Sequence, residues 1–200
     1  MKRFLLADLC VDLFTGIPGS FLQKDIDNTS TVFNSVNGSA LTTQGEIDLA
    51  QLQPVQIASD KAVDKFKLLV GDVVLLSRGS SMKAALITAE LVALNALPSA
   101  NLIVMRPKQE LVKSEVLVAY FNSVVGQAWL EQNSAGAAIR NLPAGELKKL
   151  EIALPELSVQ TEIAELFHAN LNAQKVGMAM LQQQKRVADA CIQQLMQRSA

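Results

Sequence analysis

The chain has 200 residues, of which 50% are hydrophobic and 18% charged, so it can bury a core and is not a disordered protein. Its formal net charge is −1, and residues 1–150 contain equal numbers of basic and acidic side chains. The sequence therefore lacks the basic excess that is typical of a phosphate-binding surface, and any nucleic-acid site must be a local patch.

The N-terminal segment MKRFLLADLCVDLF begins like a signal peptide, but Asp8 and Asp12 interrupt its apolar run. No window approaches the roughly 18 apolar residues of a membrane span. Cys10 and Cys191 lie far apart, without metal-ligand spacing or a disulfide framework, which indicates a reducing compartment. We therefore expect a cytoplasmic protein that does not enter a membrane.

The first hundred residues predict short strands separated by polar turns. The apolar run at 10–15 is followed by GIPGS, where two glycines and a proline favour a turn. Residues 34–48, NSVNGSALTTQGEID, contain two further glycine-centred turns and little that resembles core. We interpret this segment as a surface loop, which is either functional or simply flexible.

The segment KLLVGDVVLLSRGSSMKAALIT predicts a turn, a buried strand, a tight loop and a returning strand. A further strand is expected at 101–105. Gly79 in the tight loop allows a backbone conformation that brings Arg78 to the surface. The glycines match neither the dinucleotide-binding fingerprint nor a P-loop, so they do not indicate a phosphate site by themselves.

From Ser114 onward the apolar residues recur at helical spacing. The pattern predicts one amphipathic helix over residues 115–132, with Ser114 as its N-cap and with Phe121 and Trp129 in the core. A strand is expected at 151–154 after a polar turn.

Pro155 ends this strand, because proline cannot donate to a sheet and disfavours helix in the residue before it. Ser158 is expected to cap the helix that follows. We therefore predict two domains, 1–154 and 155–200. Apolar residues then recur at steps of three and four, which predicts a heptad seam. Its apolar members after the junction are Phe167, Leu171, Met178, Leu181, Ala188, Ile192 and Leu195.

A helix of forty residues would be about 60 Å long, too long for this domain to cover. Its apolar stripe therefore needs a partner, which is either another copy of the chain or another protein. The alternative is a hairpin of two shorter helices that fold back on the domain.

Four segments in this order resemble conserved segments of the specificity subunits of type I restriction-modification systems. They are LADLCVDLFTG, LLVGDVVLLSRGSSMKAALI, NSAGAAIRNLPAGELKKLEIALP and PELSVQTEIAEL. The matching positions are Gly71, Asp72, Ser77, Gly79, Gly136, Leu150, Ile152, Pro155, Gln160 and Ile163. With the element pattern, the resemblance implies an α+β fold, in which a mixed, β-rich target recognition domain with packed helices precedes a long C-terminal helix.

The resemblance also implies a non-catalytic subunit without a cofactor of its own. Such subunits place an adenine methyltransferase subunit, which uses S-adenosylmethionine, and an ATP-driven nuclease subunit on double-stranded DNA. Family members usually carry two recognition domains that read the halves of a split site, whereas this sequence has one. It resembles a half-subunit, and two copies paired through the helix would read a split palindrome.

Base-reading residues vary within that family, so we choose candidates by chemistry alone. They lie in predicted turns and carry donors and acceptors suited to base edges or phosphates. The candidates are Ser20, Gln23, Lys24, Asn34, Asn37, Arg78, Lys83 and Arg140. Lysines at 61–67 and 148–149 are also basic, although such residues ordinarily solvate a surface.

Two other functional classes remain open at this stage. The chain would be a dimeric helical adaptor if it kept the fold and the helix but lost DNA recognition. An enzyme is disfavoured, because the single histidine, His168, lies on the predicted helix without a Ser-His-acid arrangement or metal-ligand spacing around it.

Overall fold

The computed structural model describes residues 2–23, 31–79, 81–136 and 140–198. The chain divides into two compact units, residues 1–164 and 165–200. Strands and packed helices form the first unit, and a long helix follows them, which confirms the expected α+β class. The domain boundary placed after residue 154 coincides with the end of a strand and stays a prediction.

The described residues form strands and helices in an interleaved order. The strands are β1 (Lys2–Leu5), β2 (Cys10–Thr15), β3 (Val32–Val36), β4 (Gln53–Gln56), β5 (Val73–Leu76), β6 (Arg78–Gly79), β7 (Ala84–Leu86), β8 (Ala96–Pro98), β9 (Leu102–Pro107), β10 (Arg140–Asn141) and β11 (Glu151–Leu154). The helices are α1 (Leu6–Leu9), α2 (Ala89–Ala93), α3 (Ser114–Asn122), α4 (Val124–Asn133), α5 (Ala144–Leu147) and α6 (Leu157–Arg198).

Two sheets and a helix form the layers of the first unit. Strands β2, β9, β5 and β7 make an antiparallel sheet in that order, while β3 lies between antiparallel β4 and parallel β8. Val36, Val74 and Val104 share one buried cluster, so the two sheets pack face to face. Helix α3 covers the other face of the larger sheet with buried Leu117 and Phe121. Strands β5 and β9 are therefore buried on both faces, which explains their uninterrupted apolar sequences.

The Gly71-Asp72 pair fixes the turn that enters β5. Gly71 has φ +88°, a left-handed conformation that favours glycine. Asp72 is 1% exposed and accepts hydrogen bonds from the Leu69 amide at 2.8 Å and from Arg106, at 2.9 Å to each carboxylate oxygen. These hydrogen bonds to Asp72 raise the pKa of Arg106. The Asp72–Arg106 ion pair thus connects the turn to the central strand β9.

Ser114 is the first residue of α3 rather than its N-cap, so that prediction is wrong. Lys113 precedes it with an extended backbone (φ −73°, ψ 138°). The Ser114 Oγ donates to the carbonyl of Gly71 at 2.5 Å and accepts from the Gln109 side chain at 2.8 Å. Ser114 therefore ties the start of α3 to the glycine turn.

The single helix predicted over 115–132 is two helices, α3 and α4. Ser123 between them is extended (φ −78°, ψ 163°), and its Oγ accepts from the Gly126 amide at 3.1 Å, which caps α4. A Cβ atom at Gly126 would lie 2.0 Å from the carbonyl oxygen of Tyr120. The sharp turn between the helices therefore requires both the serine cap and this glycine.

The break also changes which side chains are buried. Phe121 is fully buried, as expected, but Trp129 is only half-buried. Val124 and Val125, which the single-helix pattern placed on the apolar stripe, are 87% and 67% exposed. The stripe predicted across both segments is therefore wrong beyond Phe121.

Residues 34–48, interpreted from the sequence as a polar loop, belong to the core. Strand β3 enters this segment and is the central strand of its sheet. Val36, Ala40 and Leu41 are at most 1% exposed and lie in the cluster between the sheets. Val36 reaches this cluster from the end of β3, and Ala40 and Leu41 reach it from the short turn that follows.

The strand predicted at 151–154 is confirmed as β11, which pairs antiparallel with β1. Pro155 follows it and α6 begins at Leu157, so strand gives way to helix within two residues. Ser158 lies inside the helix and is not the N-cap that was predicted.

Buried Gln160 fixes the first turn of α6 within the first unit. It is 2% exposed, and its Oε1 accepts from the Lys113 amide at 3.0 Å. Its Nε2 donates to the carbonyls of Leu111 at 3.2 Å and Pro155 at 3.0 Å. A buried amide with both of its polar atoms paired specifies one position for the helix start, because any shift would leave polar groups unpaired.

Helix α6 is continuous over 42 residues, or about 63 Å, so the hairpin alternative is wrong. Within the seam, Leu171 is 8% exposed and Phe167 is half-buried. Met178, Leu181 and Ile192 are 60%, 62% and 55% exposed. Ala188 and Leu195 are also exposed, so the second half of the seam presents apolar surface to solvent.

We expect Asp72→Asn to lower the free energy of unfolding by about 2–4 kcal/mol, because it removes the countercharge of a partly buried guanidinium. Urea denaturation measures this change. Asp64→Asn is the control, since Asp64 pairs with Lys67 on the surface and its side chain is 82% exposed. Equal unfolding midpoints for the two variants would contradict the role assigned to Asp72.

Gln160→Glu should destabilise the first unit by about 2–4 kcal/mol, since a carboxylate cannot donate to the two carbonyls that Gln160 serves. Thermal unfolding followed by circular dichroism measures the loss. Gln174→Glu makes the same change at an exposed position of α6 and should leave the transition in place. A Gln160→Glu protein that melts with the wild type would show that the buried amide does not fix the junction.

Candidate nucleic-acid interface

One cavity of about 210 Å³ in the first unit is lined by four separate segments, three of which contribute polar side chains. It lies where the chain leaves β2, where β3 ends, where β4 begins and where β8 passes to β9. Asn37, predicted from the sequence, lines it directly. Ser20, Gln23 and Asn34 each follow or precede a lining residue in the chain, so the fold brings these four candidates to one region.

The four candidates differ in how free their side chains are. Ser20 is exposed in a short 3-10 turn, Gly19–Phe21. Gln23 is half-buried, and its backbone amide donates to the carbonyl of Gln56 at 2.9 Å. The Asn34 side chain donates to the carbonyl of Leu94 at 2.7 Å. Ser20 is therefore available to a ligand, while Asn34 already bonds the backbone.

A short chain of hydrogen bonds runs along the cavity wall. Ser35 Oγ donates to Asn37 Oδ1 at 3.3 Å, and Asn37 Nδ2 donates to Gln53 Oε1 at 2.9 Å. The Ser99 hydroxyl is buried and has no hydrogen-bond partner among the residues that the structure describes. Asn101 is an exposed lining residue. We call these five residues with the space that they line the amide cavity.

Glycine at position 16 is required for the shape of the amide cavity. A Cβ atom there would lie 2.1 Å from the carbonyl oxygen of Ser99 and 2.5 Å from that of Pro98. The neighbouring Ile17 amide donates to the same Pro98 carbonyl at 2.8 Å. The end of β2 is thereby held against the loop that carries Ser99 and Asn101.

Arg78 and Arg140 lie on a small two-stranded sheet of β6 and β10. Arg78 is opposite Asn141, and Arg140 is opposite Gly79. Since opposite residues of an antiparallel pair share a face, the two arginines occupy different faces. Arg140 donates to Glu131 at 2.6 Å, whereas Arg78 is exposed and has no acidic partner in the described part of the chain. Arg78 is thus the better placed of the two for a phosphate.

The Arg78 strand borders the amide cavity. The backbone amide and the hydroxyl of Ser77 each donate to the carbonyl of Asn101 at 2.8 Å. The Leu76 side chain lies beside both Gly38, next to Asn37, and Gly79, next to Arg78, since a Cβ atom at either glycine would come within 3.3 Å of it. Arg78 is therefore near the cavity in the fold.

The two remaining lysine candidates are not placed at this surface. Lys83 is half-buried, and its ammonium donates to the carbonyl of Leu41 at 3.2 Å, so it stabilises the core. Lys24 lies outside the described residues. The candidate list as a whole stays a prediction, and the geometry favours Ser20, Asn37 and Arg78 within it.

The other basic clusters singled out from the sequence are partly neutralised by acidic neighbours. Hydrogen bonds from Lys61 and Lys67 lower the pKa of Asp60 and Asp64, which keeps those carboxylates ionised. The pairs are Lys61–Asp60 at 2.6 Å, Lys67–Asp64 at 2.7 Å and Lys149–Glu146 at 2.8 Å. These lysines therefore offer little net charge to a phosphate backbone.

Sequence reasoning missed Gln53, Ser99 and Asn101. Gln53 precedes a proline at the start of β4, and the other two lie in the turn between β8 and β9. Turn chemistry around Ser99 and Asn101 is a weak signal for a surface loop. Nothing local shows that these three residues meet Asn37, because strand pairing over long sequence distances brings them together.

The titratable groups do not form a second polar centre. His168 is exposed on α6, with its ring edge-to-face on Phe167 at a centroid distance of 5.5 Å. Burial raises the pKa of Cys10 to about 12, so its thiol stays protonated, while Cys191 is exposed. Across the described ranges, no group of His, Cys, Asp and Glu could hold a metal ion. No described helix is both long and apolar enough to cross a membrane.

The first unit is rich in β-strands and carries a polar surface cavity, and the long helix α6 begins two residues after Pro155 and presents an exposed apolar seam. The chain belongs to the type I restriction modification DNA specificity domain family, whose sequence profile matches residues 55–176. This match confirms the resemblance drawn from the four motifs.

Two solved structures share the fold. The crystal structure of the HsdS subunit from Thermoanaerobacter tengcongensis aligns with a TM-score of 0.58 at 19% identity, covering 92% of this chain and 45% of that one. A second structure, described as showing the structural basis of complex assembly and conformational transition of the type I R-M system, aligns with a TM-score of 0.61. Its sequence identity and coverage are the same as those of the first. This chain thus spans less than half of either. None of the curated proteins matches the sequence significantly.

Proposed function

We propose that this chain recognises a DNA sequence as the specificity subunit of a type I restriction-modification complex. The observation that carries the proposal is the family match, together with a fold that aligns with an HsdS structure over 92% of the chain. The amide cavity and Arg78 support it, since amides suit base edges and a free guanidinium suits a phosphate. The subunit acts without catalysis of its own and directs an adenine methyltransferase subunit to its site in the cytoplasm.

The chain acts as a half-subunit that forms a homodimer. Met178, Leu181 and Ile192 are more than half exposed on a single face of α6, and such a stripe is unstable in water without a partner. A second copy offers the same stripe, so the pairing is isologous. Two recognition domains related by a two-fold axis then read the halves of a split palindrome, and the helices set the distance between the halves.

A second apolar stripe on α6 supports the methyltransferase subunit as a further partner. Val159, Leu166, Met180 and Val187 recur every seven or fourteen residues outside the seam, and they are 43–71% exposed. A helix that pairs through its seam still leaves this stripe uncovered. A nuclease subunit would join the complex through the methyltransferase subunit, so it would not need a binding surface on the recognition domain.

The charge balance favours one alternative, a dimeric helical adaptor that kept the fold but not DNA recognition. Residues 1–150 are neutral overall, and several lysines are paired with acidic neighbours. In the proposed complex the methyltransferase subunit supplies most phosphate contacts, so a neutral recognition domain is sufficient. The two functions differ in how DNA binding responds to salt.

The purified chain with its methyltransferase subunit should bind genomic DNA fragments with an affinity that falls steeply as salt concentration rises. Arg78→Ala should reduce the slope of log affinity against log salt by about one, because it removes one phosphate contact. Fluorescence anisotropy over a salt series measures both effects.

Arg3→Ala is the control for charge, since Arg3 pairs with Glu151 on the β1–β11 sheet and should leave the slope unchanged. Binding that does not respond to salt in the wild-type complex would reject DNA recognition and favour the adaptor.

Leu181→Lys should convert the dimer to a monomer. Burying a leucine contributes about 1.5–3 kcal/mol per chain, so the dissociation constant should rise roughly 100-fold or more when both copies lose it. Light scattering at tens of micromolar measures the species present. Gln183→Lys places the same charge on the opposite side of α6 and should leave a dimer. A monomeric wild-type protein would contradict the half-subunit arrangement.

A further inference from the structure

A chain of hydrogen bonds that starts at Ser35 orients the side-chain amides of Asn37 and Gln53 in the amide cavity. Asn37 Oδ1 accepts from Ser35 at 3.3 Å, and Gln53 Oε1 accepts from Asn37 Nδ2 at 2.9 Å. Each of these two side-chain oxygens therefore already accepts one hydrogen bond within the chain. The Gln53 Nε2 donates to no residue in the described part of the chain, so the hydrogen-bond chain ends in a free donor.

The Ser99 hydroxyl is a second unsatisfied group in the same cavity. It is the only buried side-chain polar atom without a hydrogen-bond partner among the described residues. Buried hydroxyls are nearly always paired in folded proteins, so this one marks a part of the cavity wall where the hydrogen bonds within the described chain are incomplete. Ser99 and Gln53 both belong to the lining of the cavity.

The composition of the cavity fits the edge of a nucleic-acid base better than a phosphate. Its lining includes no charged side chain, whereas phosphate sites normally contain one. Leu22, Val55 and Leu97 give it an apolar wall, and Gln53 and Asn101 are exposed residues of its lining. Arg78, on β6, is an exposed cation without an acidic partner in the described part of the chain, and it suits a backbone phosphate next to the bound base pair.

We propose that the amide cavity reads one base pair of the DNA target, and that Gln53 is its specificity-determining residue, selecting a base that presents an acceptor. This inference rests on the proposed function and assigns the surface that reads sequence within it. In the major groove guanine presents the acceptors N7 and O6 and thymine presents O4, whereas cytosine presents a donor and adenine pairs one acceptor with a donor. Because the free group of Gln53 is a donor, this residue prefers guanine or thymine.

The test replaces the chromosomal gene with variants and maps modified bases across the source genome. Gln53→Glu turns the free donor into an acceptor at the same position. We expect one guanine or thymine of the methylated motif to be replaced by cytosine or adenine, and methylation of the original motif to fall roughly tenfold or more.

Asn37→Asp provides an independent route to the same change. A carboxylate at position 37 accepts instead of donating, so the Gln53 amide turns over to donate to it and presents its oxygen to the ligand. The same base of the motif should change in this variant. Gln51→Glu, two residues away in an exposed turn, adds the same charge as Gln53→Glu and should leave the motif intact.

The possible outcomes distinguish a failure of this inference from a failure of the proposed function on which it rests. Variants at 37 and 53 that are expressed as folded protein and methylate the original motif at the wild-type rate would overturn the base-reading role of the cavity, while the specificity function would stand. A uniform fall in methylation with an unchanged motif would also overturn it, because that pattern belongs to a residue that only positions the backbone. A wild-type gene whose deletion leaves the map unchanged would reject the proposed function itself, and this inference with it.

Discussion

The architecture depends on the buried side-chain amide of Gln160, which fixes where the long helix α6 begins. Proline forces β11 to end, yet proline alone does not determine where the following helix starts. Gln160 determines it, by hydrogen bonding to the carbonyl of Pro155 behind it and to two backbone groups of the loop before α3. A fully paired buried amide fixes the first turn of α6 on the first unit, because it has no alternative partners there.

The amide cavity is also formed by a few contacts between separate segments. Its polar residues come from the end of β3, the start of β4 and the turn before β9. These segments are separated in the chain, and the pairing of β3 with β4 and with β8 brings them together. Gly16 permits the backbone contact that closes the cavity, and the Asp72–Arg106 pair fixes the sheet behind it. The backbone contacts at Gly16 and the Asp72–Arg106 ion pair thus stabilise the fold without using the polar side chains of the cavity.

Sequence patterns predicted the elements that obey a single local rule. Strands β2 and β11 and the start of α6 were located because apolar runs end at strong turn formers, and α6 because its repeat is long. The division between α3 and α4 was missed, since Ser123 carries no proline or glycine signal and the apolar period continues across it. The polar segment around Asn37 was read as a loop because its core residues are few. The cavity was only partly anticipated, as Gln53 and Ser99 meet Asn37 through tertiary pairing alone.

The central claim is that this chain specifies a methylated DNA site as a paired half-subunit. The most direct test is a map of modified bases in the source genome with the gene intact and with the gene deleted. We predict that deletion removes methyladenine from one motif, and that this motif is split and palindromic. An unchanged map would contradict DNA specificity, and loss of an asymmetric motif would contradict the symmetric pairing through α6.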